Sequence, residues 1–186
     1  ETAVAILGNH EFNAIGWVMP DGNGDFLRPH SDKNKTQHGE FLRQIGEGST
    51  EHQDAIDWFR SLPVWVELEG FRVVHACWHD DSLNALDPHI DSQSRLTKEG
   101  LNEALTRGSD AYEAAEILLK GPEAKLPAGI SFLDRDGNRR TEVRLSWWEN
   151  KATTFREAAY QKEDIQGDIP DTKLPVDFRY RESTPV

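Results

Sequence analysis

The chain has 186 residues, 37% of them hydrophobic, which is enough for a single domain spanning residues 1–186 with an apolar core. Its 21 Lys and Arg against 33 Asp and Glu leave a formal net charge of −12, a surface field that repels nucleic acid and anionic membranes, so neither is expected as a partner. A single cysteine, Cys77, excludes a disulfide framework and fits a reducing, cytoplasmic setting, and no apolar run reaches the roughly 18 residues of a membrane span.

Residues 2–7 form a short continuous apolar run closed by Gly8, the pattern of a strand buried on both faces in a parallel sheet. Pro20 to Asp25 is turn chemistry. The spacing predicts a helix from Ser31 to Ile45, capped by Ser31 and stopped by Gly46. A second helix follows Ser49 or Thr50, with Ala55, Ile56 and Phe59 on its apolar face, and ends before Pro63. Val64–Leu68 and Phe71–Ala76 are β-rich runs joined at Glu69-Gly70, which predicts an antiparallel hairpin.

Residues 97–120 are helical in pattern, broken at Gly108-Ser109-Asp110 and ended by Gly121-Pro122. A second hairpin is expected between Ile130–Asp134 and Arg139–Trp147 around Asp136-Gly137-Asn138, and a short helix from Thr154 to Glu163. The first residue, Glu1, and the last ones, Ser183 to Val186, read as cuts through a longer protein.

Gly8-Asn9-His10-Glu11 lies at the C-terminal end of the first apolar run, where open α/β sheets gather their ligands. Asn9 offers an amide oxygen and His10 an imidazole, a metal donor and a proton carrier respectively. Gly8 is read as the residue that lets the backbone turn sharply there. The bland alternative is a turn whose polar groups are satisfied by backbone. His75 closes the second strand of the hairpin among apolar neighbours, Val73, Val74 and Ala76. It is read either as a core histidine bonded to a carbonyl or as a metal ligand whose other ring nitrogen donates to a group such as Asp80 or Asp81.

In combination these segments resemble the calcineurin-like metallophosphoesterases. The resemblance is carried by Ile-Leu-Gly-Asn-His-Glu-Phe-Asn-Ala-Ile, Leu-Pro-Val-Trp-Val-Glu-Leu and Val-Val-His-Ala-Cys-Trp-His, with Leu-Leu-Lys-Gly-Pro-Glu and Arg-Leu-Ser-Trp-Trp further on. The nearest likeness is to the bacterial serine/threonine phosphatase and symmetric diadenosine-tetraphosphatase-like branch. It implies an α/β fold, part of a metallophosphoesterase sandwich with a mixed sheet and flanking helices. It also implies a hydrolase using two divalent metal ions, manganese first, with iron, zinc or nickel as alternatives. By position, Asn9 and His75 would be metal ligands, and His10 would be the catalytic group that contacts the phosphate and protonates the leaving oxygen. The substrate implied is a small phosphoester or nucleotide, because Leu7 replaces the arginine that eukaryotic protein phosphatases carry before the glycine.

By the resemblance, the Asp-x-His and Gly-Asp-x-x-Asp-Arg-Gly strands that complete such a site would precede Glu1, and its last Gly-His strand would follow Val186. The competing reading is therefore a catalytically inactive fragment or binding module that keeps the fold without the metals. A sheet lacking its neighbouring strands would expose an edge, which predicts self-association into a homo-oligomer. Arg28, with His30 and His38, is a candidate for substrate binding, the alternative being polar residues on a helix surface. Cys77 reads as a buried, inert thiol, and His79 as a solvated residue beyond the strand end.

Overall fold

The computed structural model describes residues 3–135, 137–149, 151–160, 162–165 and 167–175. Two compact units divide the chain, Glu1–Lys120 and Gly121–Val186.

The first unit is mainly helical. Helix α1 (Asn9–Val18) begins directly after Gly8 and turns Phe12, Ile15 and Trp17 inward. Helix α2 (Asp32–Ile45) is capped by the Ser31 hydroxyl, which accepts from the Asn34 amide, and ends at Gly46 with φ of 78°. Helix α3 (Thr50–Arg60) is capped in the same way by Ser49. All three boundaries follow from short polar caps and a glycine able to adopt the left-handed conformation.

Strands β1 (Trp65–Leu68) and β2 (Phe71–Val74) pair antiparallel, Trp65 opposite Val74 and Leu68 opposite Phe71. This is the predicted hairpin, turning at Gly70 with φ of 89°. Helices α4 (Asp80–Leu86), α5 (Lys98–Leu105) and α6 (Asp110–Lys120) complete the unit. The predicted break near Gly108 separates the last two, because Gly108 sits at φ of 88°. The core gathers Leu7, Ile15, Ile56, Leu86, Leu101, Leu105 and Leu118 from these elements.

The second unit carries β3 (Glu123–Lys125), β4 (Phe132–Leu133), β5 (Arg139–Arg140), β6 (Glu142–Arg144) and the short helix α7 (Phe155–Ala158). Its own core includes Ala124, Val143, Leu145, Phe155 and Ile169. The expected hairpin turn is present, with β4 paired to β5. The expected long second strand is split, however. At Thr141 the chain leaves that hairpin, and β6 pairs instead with β3. Thr154 caps α7 in a reciprocal capping box with Glu157. The expected end of this helix, Glu163, lies instead in a separate 3-10 turn, Lys162–Asp164.

Helices with small antiparallel sheets make this a mixed α/β chain. The expected first strand is not formed. Residues 3–7 carry no strand, and Ala3, Val4 and Ala5 are exposed. Only the end of the run is anchored, by Leu7 burying its side chain and donating its amide to the Pro63 carbonyl at 2.8 Å. A strand buried on both faces needs paired neighbours, and every strand pairing among the described residues is antiparallel and local to other segments. Among the described residues no helix is long and apolar enough to cross a membrane.

Candidate functional site

Asn9 and His10 are the first two residues of α1, and His75 is the first residue past β2. The fold brings two of the three into contact. His75 Nε2 lies 3.2 Å from Asn9 Oδ1, across 66 residues of sequence. His75 is exposed, which removes the reading of a core histidine, and Asn9 is the partner of its Nε2. His10 is also exposed, one residue along the same helix.

Gly8 has a different role from the one its position in the sequence suggests. Its φ of −105° is open to any residue, so no sharp turn demands a glycine. What demands it is space. A Cβ there would lie 2.5 Å from Glu11 Oε2 and 3.1 to 3.2 Å from the ring atoms Cε1 and Nδ1 of His75. The imidazole and the carboxylate both lean over the bare Gly8 backbone, and that close approach sets the His75 ring beside Asn9.

The start of α1 has no side-chain cap. Ser31, Ser49, His79 and Thr97 accept first-turn amides of α2, α3, α4 and α5, and Ser109 accepts the Tyr112 amide in α6. The free amides of α1, with the positive end of the helix dipole, face the region of Asn9 and His10 and favour an anion there.

Two donors 3.2 Å apart match the spacing of neighbouring ligands on one ion. Donor-to-metal distances of about 2.0 to 2.2 Å at tetrahedral or right angles place adjacent donors roughly 2.8 to 3.6 Å apart. In the absence of an ion, the same geometry is a hydrogen bond from the imidazole N–H to the amide oxygen. Among the described residues no group of three or more His, Cys, Asp or Glu is arranged to hold a metal. The residues present thus fit one edge of one ion's shell and do not fit a two-ion centre.

No protein-family model, curated protein or solved structure matches this chain.

Arg28 follows α1 on the loop to α2. Its amide donates to the Gly16 carbonyl at 3.0 Å, and its guanidinium is fixed by Asn13 Oδ1 at 2.6 Å and Gln37 Oε1 at 3.1 Å. Burial holds this guanidinium below its ordinary pKa. The helix-surface reading of His30 and His38 does not hold. His30 is stacked between Trp17 (3.6 Å between ring centroids) and Phe26 (4.3 Å). His38 is only 8% exposed, with Nε2 buried and unpartnered. Burial first, then the charges of Arg28 and His52, push its pKa down to about 4. Two aromatic partners, Trp17 and Phe41, explain why an imidazole sits there.

His79 is likewise not merely solvated. Its Nδ1 lies 2.8 Å from the Ser82 hydroxyl and accepts the Ser82 amide, capping α4. Imidazole is outside the usual set of capping residues, so sequence spacing gave no hint of it. Cys77 is buried, and burial pushes its thiol up to about 12, as an inert cysteine requires. An open groove of about 470 Å³ runs along the other part of the hairpin, between Trp65, Glu67, Arg72 and Trp78 and the residues of α4. Asn9, His10, Arg28 and His75 are not among its lining residues.

Proposed function

We propose that this chain carries part of the site of a metal-dependent phosphoester hydrolase of the metallophosphoesterase kind, acting on a small phosphoester or nucleotide. The observation that supports the reading is the 3.2 Å approach of Asn9 Oδ1 to His75 Nε2 at the uncapped start of α1. The motifs that suggest the family are thereby joined in space by residues far apart in sequence.

Asn9 and His75 would hold a divalent ion, manganese in the first instance, through an amide oxygen and an imidazole nitrogen. Such an ion neutralises phosphoryl oxygens and makes bound water a better nucleophile. The α1 amides attract the phosphate dianion. His10, exposed one residue along the helix, would hydrogen-bond a phosphoryl oxygen and deliver a proton to the departing oxygen, the task for which imidazole is suited near neutral pH. Further ligands would have to come from outside the described residues for a second ion to bind. A complete sandwich, in which this unit is one part, belongs to the same proposal.

Turnover of p-nitrophenyl phosphate and diadenosine tetraphosphate in manganese tests the reading. His10→Ala should reduce turnover by about 10²- to 10⁴-fold, the range for loss of a general acid. The lack of a three-ligand cluster among the described residues favours a second reading, a binding module without catalysis, and no metal uptake with no turnover would establish that one.

The proposal extends to self-association. The β1–β2 sheet has two strands, and Leu68 and Phe71 at its tip are 46% and 51% exposed. Unpaired edges beside apolar side chains are a pairing surface. Light scattering at micromolar concentration should give a mass above that of the 21.1 kDa monomer, and a monomer there would refute this part.

A further inference from the structure

We infer that the groove between the β1–β2 hairpin and α4 is a binding site for a linear aliphatic polyamine. Asn9, His10 and His75 do not line this groove, so a ligand there is separate from the metal-site reading.

Two periodicities meet to form the groove. On β1, Trp65 and Glu67 are two residues apart and share one face of the hairpin, and Arg72 of β2 lies across from Glu67. On α4 and its C-cap, Asp80, Leu83, Asn84 and Asp87 follow at offsets of three, four and seven residues, which is one face of a helix. A helix face that packs on a sheet is ordinarily apolar, and α4 turns Leu86 to the core in that way. The stripe toward the hairpin is instead carboxylate, leucine, amide and carboxylate. Side chains therefore do not close the space, and about 470 Å³ stays open, within the range of small-molecule sites.

Floor and rim differ in kind. Trp65 is buried and Trp78 and Leu83 are half-buried, whereas Glu67, Asp80, Asn84 and Asp87 are exposed. Arg72 is the one cation among the lining residues, and its charge is already engaged. Its Nε lies 3.5 Å from Glu67 Oε2, and its guanidinium carbon stands 5.0 Å from the centre of the Trp78 ring. With Glu67 matching Arg72, the carboxylates of Asp80 and Asp87 set the sign of the field in the groove, and it is negative.

Asp80 and Asp87 stand two helical turns apart, about 10 Å along the axis, with Leu83 between them. Carboxylate, apolar patch and carboxylate in a row are the complement of ammonium, methylene chain and ammonium. The methylenes lie on Leu83 and the indoles, releasing water from apolar surface, and the terminal ammonium groups meet the carboxylates through charge-assisted hydrogen bonds. The amide oxygen of Asn84 is an acceptor for an internal amine. A bare divalent cation would leave the apolar floor unused. A lysine of a basic peptide carries one ammonium at the end of its stem and so meets one carboxylate at a time.

The test is calorimetric titration of the whole chain, free of divalent metal, with spermidine and with two diamines of equal charge, putrescine and octamethylenediamine. Only the longer diamine spans two helical turns. Spermidine and octamethylenediamine should bind saturably at one site, each about two- to fivefold tighter than putrescine, the worth of one more exposed ion pair. Asp87→Asn should bring both down to the affinity of putrescine, and Asp87→Lys should abolish saturable binding. Asp81→Asn removes the same charge from the same helix outside the groove and should leave the affinities unchanged, which separates a site from general attraction to a chain of net charge −12. Absence of saturable spermidine binding, equal affinity for the two diamines, or equal losses in Asp81→Asn and Asp87→Asn overturns the inference. Tetralysine bound in preference to spermidine overturns it as well, in favour of a basic peptide.

Discussion

His75 packs its imidazole over the bare backbone of Gly8, with ring atoms 3.1 to 3.2 Å from where a Cβ would stand. The glycine thus acts as a seat for a ring that arrives from the other end of a hairpin. Gly8→Ala should move the His75 ring by a few tenths of an ångström and break the 3.2 Å contact with Asn9. The flexible Glu11 carboxylate swings aside at little cost, and an alanine is compatible with φ of −105°, so stability should change by no more than about 1 kcal/mol. Imidazole nitrogen chemical shifts read the displacement directly. Unchanged His75 signals in the alanine variant would show that the glycine does not set the ring.

His38 predicts an acid-sensitive fold. Its pKa falls from 6.5 in the unfolded chain to about 4 in the folded one, so the folded state binds this proton less readily. Above pH 6.5 the group is neutral in both states and contributes no difference. As the pH drops from 6.5 toward 4 the unfolded state gains the proton first, and about 3 kcal/mol of stability is lost at most. Urea midpoints at pH 7 and pH 4.5 measure the loss. Replacing His38 by Phe, which keeps the ring packing against Trp17 and Phe41, should flatten it by at least about 1 kcal/mol. An equal loss in both proteins would assign acid sensitivity to other groups.

Cys77 predicts a silent thiol. With only 1% of its surface exposed and its pKa raised to about 12 by burial, it should react with a thiol reagent at pH 8 only through opening of the fold. The labelling rate should rise by orders of magnitude in denaturant. Rapid labelling of the native chain would contradict the packing described for the segment after β2.

Much of the first unit was legible in the sequence because its signals are local. Ser31, Ser49 and Thr97 each bond an amide three residues ahead, so the helix starts could be read from a few adjacent letters. The β1–β2 hairpin was legible for the same reason, its turn set by Gly70. The apolar run ending at Leu7 was misleading, since hydrophobicity favours a buried strand but pairing depends on neighbours that periodicity does not show. The split between β5 and β6 was hidden likewise, because nothing local to Arg139–Trp147 reveals the partner β3. At the site, the types Asn9 and His75 were visible as candidates, while the space at Gly8 that joins them depends on a contact between distant segments. The burial of His38 was missed because an imidazole amid polar helix residues looks solvated until Trp17 and Phe41 close over it.

The central claim, that Asn9 and His75 act together as donors to a divalent ion, is tested most directly by manganese titration monitored by electron paramagnetic resonance. The native chain should bind manganese saturably, and His75→Ala should weaken binding by at least about tenfold, the lower end of what the loss of even an outer-shell partner costs. Manganese binding of equal strength in the native chain and His75→Ala, or none in the native chain, would contradict the account.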